Sequence, residues 1–421
     1  MVNFIYNLIW FLISPLIPIW LNYRLYQGLE NKNRLSERYG YSEITRPKGK
    51  LIWVHASSLG ESVSASAISL GLRENGFKGT ILVTSGTISS YELLKKNHNI
   101  IHQFHPYDKK SWVEKFLKHW KPNLAIMMES EIWPNFIFCC SNGNIPIIMA
   151  SGQISQSSYL KWKRILGKNS KVIFNKFDLI LSSDQDQKRK FESLGASKVI
   201  VGGSLKTSMP PSKLNPTLIK SIKNAASGRK IILLASSHPG EEKILLESIK
   251  ILELKGIDSF LIIAPRKISR GRNIINNYRL NAKLFSKDGT PEKGDKIFVF
   301  DRFGEMASLY SISNIVFVAG SLFPLGGHNP SEPSHFRTNI IIGPHVSKCK
   351  ETVREMMNNN AIIKLDLSNN YPQSIANVFY KLCTEKKFSQ NLKNSSFKMS
   401  TNWGKRRIEN AEKCLNLFKT G

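Results

Sequence analysis

The chain has 421 residues, 41% hydrophobic and 22% charged, which suits two domains and excludes wholesale disorder. Lysine and arginine number 60 against 31 acidic residues, and the net charge of +29 favours anionic partners: phosphates, acidic lipid or nucleic acid. Lys, Asn and Ile are abundant together, so compositional drift is a competing source of that charge. The five cysteines (Cys139, Cys140, Cys349, Cys383 and Cys414) include no C-x-x-C pair. Neither a disulfide framework nor a zinc site is expected, and a reducing, cytoplasmic setting fits best.

Val2 to Leu21 is strongly apolar and uncharged. Twenty helical residues span roughly the 30 Å core of a bilayer. No basic segment precedes this stretch and no small-residue cleavage site follows it, which argues against a signal peptide. Arg24, Lys32, Arg34 and Arg38 come next, and the positive-inside rule would keep the main body cytoplasmic. Residues 1–22 are therefore expected to be a membrane anchor or an interfacial helix; a helix docked on the protein itself is the alternative.

Beyond residue 50, short β-rich runs alternate with helical segments. The runs are Leu51–His55, Thr80–Ser85, Leu124–Glu129, Ile145–Ala150, Leu179–Ser183 and Lys198–Val201; Glu61–Asn75 and Asp184–Leu194 have helical length. Uncharged strands between amphipathic helices imply a parallel sheet covered on both faces. Met209–Pro216 holds three prolines and reads as a linker. A second series follows: Lys230–Ala235, Ser259–Ala264, Lys296–Asp301, Asn314–Ala319 and Asn339–Ile342. The pattern predicts an α/β protein with two Rossmann-like domains facing a cleft, over residues 23–208 and 217–400. A C-terminal helix is predicted over 401–421.

In such sheets ligands bind beyond the carboxyl ends of strands. After the first run, Gly60 allows a tight turn and Glu61 falls at a helix start, where the dipole favours its ionised form. Glu61 is then either a general base or a plain dipole partner. Glu129 and Glu131 end the LAIMME run; an extended segment would put both on one face, and two such acids must be paired or used. Gly202-Gly203-Ser204-Leu205-Lys206 precedes the linker, where Lys206 could reach the cleft. In the second half, Arg266 follows Pro265 beyond a strand, where it could meet a nucleotide. Phe303, Gly304 and Glu305 open a helix. The densest segment is Gly320–Pro333: Asn329 suits an N-cap, Pro330 the first helical position, and the helix start would hold a phosphate. Ser331 follows, and Glu332 could accept from sugar hydroxyls. Neither a G-x-G-x-x-G fingerprint nor a P-loop is present.

Together, WVHASSLGES, MMESEIWPN, GGSLK, SSHPGEE, APRK, FGEM, AGSLFPLGGHNPSEP and IIGPH, in this order, resemble the 3-deoxy-D-manno-octulosonic acid (Kdo) transferases of lipopolysaccharide synthesis. The resemblance implies a GT-B glycosyltransferase without metal or redox cofactor. It would move Kdo from CMP-Kdo to a lipid A precursor, lipid IVA, at the cytoplasmic face of the inner membrane, with the acceptor domain N-terminal and the CMP-sugar domain C-terminal. It makes Glu61 the proton acceptor, and Glu131 and Lys206 transition-state stabilisers. CMP contacts would come from Pro265 and Arg266, from Phe303, Gly304 and Glu305, and from Asn329, Pro330, Ser331 and Glu332. A lipid acceptor and anionic inner-membrane lipid suit the apolar N-terminus and the basic surface.

The chain departs from the family pattern at Ser151-Gly152-Gln153, where many members carry Asn-x-Arg, at Pro239, where an acid is common, and at Arg337-Thr338. These departures bear on acceptor contacts more than on reaction class. Two other readings fit parts of the sequence: a GT-B enzyme using a UDP-sugar, and a non-enzymatic basic membrane- or nucleic-acid-binding protein. The ordered motifs disfavour the first. Nucleic acid is not expected as a partner, because no zinc finger, RNP motif or dense Arg tract occurs.

Overall fold

The computed structural model describes residues 2–167 and 170–420; Met1, Lys168, Asn169 and Gly421, which fall within the expected segments 1–22, 23–208 and 401–421, lie outside the described residues. The chain divides into two compact units, Met1–Met209 with Trp403–Gly421, and Pro210–Asn402.

The first unit is built on β1 (Leu51–Ala56), β2 (Thr80–Ser85), β3 (Ile101–Phe104), β4 (Leu124–Met128), β5 (Ile147–Gly152), β6 (Leu179–Ser182) and β7 (Val199–Val201). They form one sheet in the order β3-β2-β1-β4-β5-β6-β7, every pairing parallel. Residues of β1 alternate between two cores. Leu51 and Trp53 enter one, with Phe116 and Phe136; Ile52, Val54 and Ala56 enter the other, with Ile68 and Leu72. That alternation is the two-residue period of a strand buried on both faces. Removing each such side chain from water contributes roughly 1.5–3 kcal/mol.

The second unit repeats the plan with β8 (Lys230–Ser237), β9 (Ser259–Pro265), β10 (Lys283–Leu284), β11 (Ile297–Val299), β12 (Ile315–Val318), β13 (Asn339–Ile342) and β14 (Ile363–Lys364), ordered β10-β11-β9-β8-β12-β13-β14 and again parallel. In both sheets the order reverses beside the first strand. The switch points lie between β1 and β4 and between β8 and β12, where doubly wound sheets open a crevice at the strands' carboxyl ends.

Three details differ from the sequence reading. The C-terminal helix is longer than residues 401–421: it runs from Lys386 to Thr420, and its residues from Trp403 onward belong to the first unit. The run Leu124–Glu129 ends at Met128, because Glu129 turns into the left-handed region at φ 51°. Asn329 starts no α-helix; Gly326 to Glu332 is irregular, and a four-residue 3-10 turn, Pro333–Phe336, follows. Pro333 supplies the physical reason. In a helix capped at Asn329 its ring would strike the Asn329 carbonyl, and its missing N–H would leave that carbonyl without a donor.

At the N-terminus, helices Val2–Ile13 and Ile17–Tyr26 flank a 3-10 turn at Ser14–Leu16. Asn3–Tyr26 is long and apolar enough to cross a membrane by length and composition, with 17% of its most apolar window buried. It is tied to the first unit by polar contacts. Tyr6 Oη donates to Asp108 Oδ2 at 2.8 Å, and Lys109 Nζ donates to Ser14 Oγ at 3.0 Å. Asp108 also accepts from the backbone N–H groups of Asn135 and Phe136, at the start of helix Pro134–Asn142.

The C-terminal helix approaches helix Leu59–Glu74 at a glycine. A Cβ on Gly71 would sit 2.3 Å from the carbonyl oxygen of Arg407 and 3.1 Å from the Ala411 Cβ. Gly71→Ala is expected to destabilise the protein by about 1–3 kcal/mol, through overpacking against backbone. Calorimetry checks this as a lowered unfolding temperature; an unchanged temperature would mean that the helices separate freely at that point.

Candidate active site

The carboxyl edge of the first sheet gathers acids from both strands flanking its switch point. After β1, Ser58 caps helix Leu59–Glu74 in a reciprocal capping box with Glu61. Ser58 N donates to Glu61 Oε2 at 2.8 Å, and Ser58 Oγ accepts from Glu61 N at 3.4 Å. The dipole-partner reading of Glu61 is therefore true, but it occupies only one carboxylate oxygen. Glu61 Oε1 has no hydrogen-bond partner among the described residues. Burial, followed by the charge of Glu131, pushes the Glu61 carboxyl up to about 7; Ser58 works against that rise and Glu129 adds to it.

Glu131, after β4, is held the other way. Burial pushes its carboxyl upward, but His55 and the donors Ser57 and Trp133 outweigh it and bring the group down to about 2. Trp133 Nε1 donates to Glu131 Oε2 at 2.5 Å, and Ser57 Oγ donates to the same oxygen. His55 Nε2 lies 3.2 Å from that oxygen, out of line for a hydrogen bond. The other ring nitrogen, Nδ1, is 2.9 Å from Thr84 Oγ1, which also accepts from Trp53 Nε1.

Glu129 and Glu131 do not share one face of an extended segment, because the left-handed turn at Glu129 separates them. Lys206 pairs with Glu129 rather than Glu131: Nζ donates to Glu129 Oε2 at 2.7 Å. Ser64 Oγ donates to Oε1 at 2.8 Å and Gln153 Nε2 to Oε2 at 2.5 Å. The GGSLK loop is pinned where Leu205 N donates to Ser151 Oγ at 3.1 Å. His55 and Gln153 were not singled out from the sequence as site residues. His55 sits inside an apolar strand, and its only signal was a titratable ring at the carboxyl end of the first strand.

At the second switch point the loops after β8 and β12 are locked by one carboxylate. Glu241, fully buried at the start of helix Glu241–Leu254, accepts from the backbone N–H groups of His238, Gly320, Ser321 and Leu322, at 2.8–3.1 Å. Pro265 is buried at the end of β9, while the Arg266 side chain is exposed and its charge acts on Glu332, His238 and His328. Phe303 is 68% exposed and Gly304 takes φ 96°. Glu305 begins helix Met306–Ile312 and accepts from Asn215 Nδ2 at 3.2 Å. Asn329 Oδ1 accepts from Ser331 N at 3.1 Å, Pro330 and Ser331 are buried, and Glu332 is exposed. These segments adjoin: Tyr310, on helix Met306–Ile312, stacks on Phe336 at 6.3 Å, and Glu332 acts on Tyr310 by charge. The expected phosphate site at an Asn329 helix start is not formed.

Residues 33–209 match the family model described as 3-deoxy-D-manno-octulosonic-acid transferase (kdotransferase). A 3-deoxy-D-manno-octulosonic acid transferase of Rickettsia bellii is 32% identical over 366 residues, 86% of this chain and 87% of that one. The chain belongs to the Kdo transferase family. The Haemophilus influenzae transferase of the same name is 27% identical over 86% of this chain and 87% of its own. A glycosyltransferase of Rickettsia africae superposes with a TM-score of 0.57 at 16% identity, covering 89% of this chain and 99% of that one, a likeness in fold. This family member is a GT-B glycosyltransferase.

The Glu61 value predicts a titration. In the unfolded chain the group sits near 4.5, so its ionisation lowers folded-state stability from about 4.5 upward, fully above about 7. Glu131→Gln removes one neighbouring charge and should move the Glu61 titration below 7 while leaving it above 4.5, since burial persists. Carbon-detected NMR of the Glu61 carboxyl checks the shift; an unmoved titration would remove Glu131 from the account.

Proposed function

We propose that this protein transfers Kdo from CMP-Kdo to a hydroxyl of the lipid A precursor, lipid IVA, at the cytoplasmic face of the inner membrane, with inversion at the anomeric carbon. The observation that carries this reading is Glu61. It is a carboxylate at a switch point, with one oxygen fixed by the capping box and the other unpartnered among the described residues, pushed up to about 7. Family membership supports Kdo as the transferred sugar.

In the proposed step the acceptor O–H proton passes to Glu61, and the oxygen bonds to the anomeric carbon. The bond from that carbon to the CMP phosphate breaks, and CMP departs as a phosphate monoester. Glu131, kept ionised, favours the positive charge developing on the sugar. Lys206 holds Glu129 and is available to phosphate charge through its exposed side. Pro265 and Arg266, Phe303 to Glu305, and Asn329 to Glu332 form the proposed CMP site; no metal or redox group takes part in this scheme.

Glu61→Gln tests the reading cleanly, because glutamine also serves at the third position of a capping box. Turnover should fall by about 10²–10⁴-fold, the usual worth of general-base help, while the melting temperature at neutral pH is not lowered and rises as the ionisation cost of Glu61 is removed. Mass spectrometry of lipid IVA incubated with CMP-Kdo reads both activity and the number of sugars added. Full turnover in the variant would remove Glu61 from the role.

The N-terminal segment is proposed to lie in the membrane interface while staying docked on the body. Phe4, Phe11, Leu12 and Ile19 are 66–73% exposed, and the helix keeps its contacts to Asp108 and Lys109. The basic surface would add attraction to anionic lipid. Phe11→Glu with Leu12→Glu should sharply reduce co-sedimentation with vesicles containing phosphatidylglycerol, leaving the fold intact by circular dichroism. Undiminished binding would place the membrane contact elsewhere.

A further inference from the structure

The second switch point holds two histidines in an arrangement that the proposed chemistry above does not use. His238 follows β8 and His328 follows β12, the two strands flanking the crevice. Their rings lie nearly coplanar, with 16° between planes and centroids 5.2 Å apart, and meet edge to edge with their Nε2 atoms 2.9 Å apart. Both rings pack closely over the Gly320 backbone. Gly320, at φ 71°, lies beneath both: a Cβ there would stand 3.0 Å from the His328 ring and 3.4 Å from that of His238. The backbone of His238 is held by Glu241, and that of His328 by the Ala319 carbonyl at 3.2 Å.

Two nitrogens at this separation share one proton. One Nε2–H donates and the other Nε2 accepts. The accepting ring then carries its own proton on Nδ1, and the donating ring presents a bare Nδ1. Neither Nδ1 has a hydrogen-bond partner among the described residues. A single added proton, taken by the bare Nδ1, turns the pair's outward face from one donor and one acceptor into two donors with a net positive charge. The inner hydrogen bond is unchanged.

We propose that His238 and His328 form a proton-sharing clamp for the phosphate of the nucleotide donor, taking up a proton as that anion binds. This rests on the CMP-donor reading above and assigns to these two residues a contact that it left open. The surroundings keep the empty clamp neutral. Burial, then His238, Arg266 and Lys348, brings His328 down to about 4. His238 is lowered by burial, with Glu241 and Glu242 raising it and Arg270 and Arg266 lowering it. A phosphate set against Arg266 would offset the cationic neighbours and favour the second proton. Proton and ligand then strengthen each other's binding reciprocally.

Titration calorimetry of the full chain with CMP, in buffers of different ionisation enthalpy, measures protons taken up per CMP. The CMP phosphate itself titrates at about pH 6, so its phosphorus resonance is followed in each chain to separate its protonation from that of the imidazoles. The unsubstituted protein should take up measurably more protons than His238→Gln or His328→Gln, and its CMP affinity should rise more steeply from about pH 8 to about pH 6. Nitrogen-detected NMR of the imidazoles in the unsubstituted chain gives a reading independent of the variants' folding: CMP should shift one Nδ1 to the protonated range. Equal uptake in all three folded chains, or neutral imidazole signals with CMP bound, would overturn the clamp while leaving the donor reading intact. CMP that binds none of the chains would overturn both.

Discussion

Glu61 lies within the field of Glu129 and Glu131, and the first unit's site is organised around keeping those three charges apart. Two of them are compensated. Glu131 has a tryptophan, a serine and a histidine on one oxygen, and Glu129 has a lysine, a serine and a glutamine. Glu61 receives a single backbone N–H. Glu131 and Glu61 therefore do not titrate alike: well-partnered Glu131 is held down to about 2, and poorly partnered Glu61 is pushed up to about 7. A carboxyl near 7 accepts a proton more readily than an ordinary glutamate, and the cost of ionising it is borne as folded-state stability.

The same logic, with opposite sign, operates in the second unit. There a fully buried glutamate is satisfied by four backbone donors and serves as a rivet between two loops, while the titratable pair above it is cationic in potential. Each sheet thus has a well-satisfied buried carboxylate beside a titratable group with fewer partners. The doubly wound strand order explains why these clusters arise where they do. Only at a switch point do two neighbouring strand ends send their loops apart and leave backbone and side chains free to face a ligand.

Most of the strands were legible because they are buried on both faces and read as unbroken apolar runs, as in LIWVHA and KIILLA. The β3 strand escaped notice because His102 and Gln103 interrupt its pattern: Gln103 takes the Trp120 indole N–H, and His102 sits against Ser85 and Arg34. The β10 and β14 strands are two residues each, too short for any period to show. That Glu61, Glu131 and Lys206 sit at the carboxyl edge of the first sheet was legible from the apolar runs that precede them. Their partners were not, because the lysine's choice of Glu129 follows from a left-handed turn and a strand bulge at Ser151, neither of which has a sequence period. The helix expected at Asn329 failed for a local reason that Pro333 announces, and capping rules applied one residue at a time overlooked it.

The last turns of the chain carry a consequence for biogenesis. Ala411, Cys414 and Leu415 pack into the same core as Ile52, Val54 and Ile68, although more than three hundred residues of chain separate them. A nascent polypeptide emerging from the ribosome can cover the second sheet with the first turns of that helix, yet the earlier-made sheet must wait for its last turns with one flank uncovered. Vectorial synthesis therefore completes this molecule out of order, and a stall or truncation late in translation would leave the first-made half, not the last, exposed to aggregation and proteolysis.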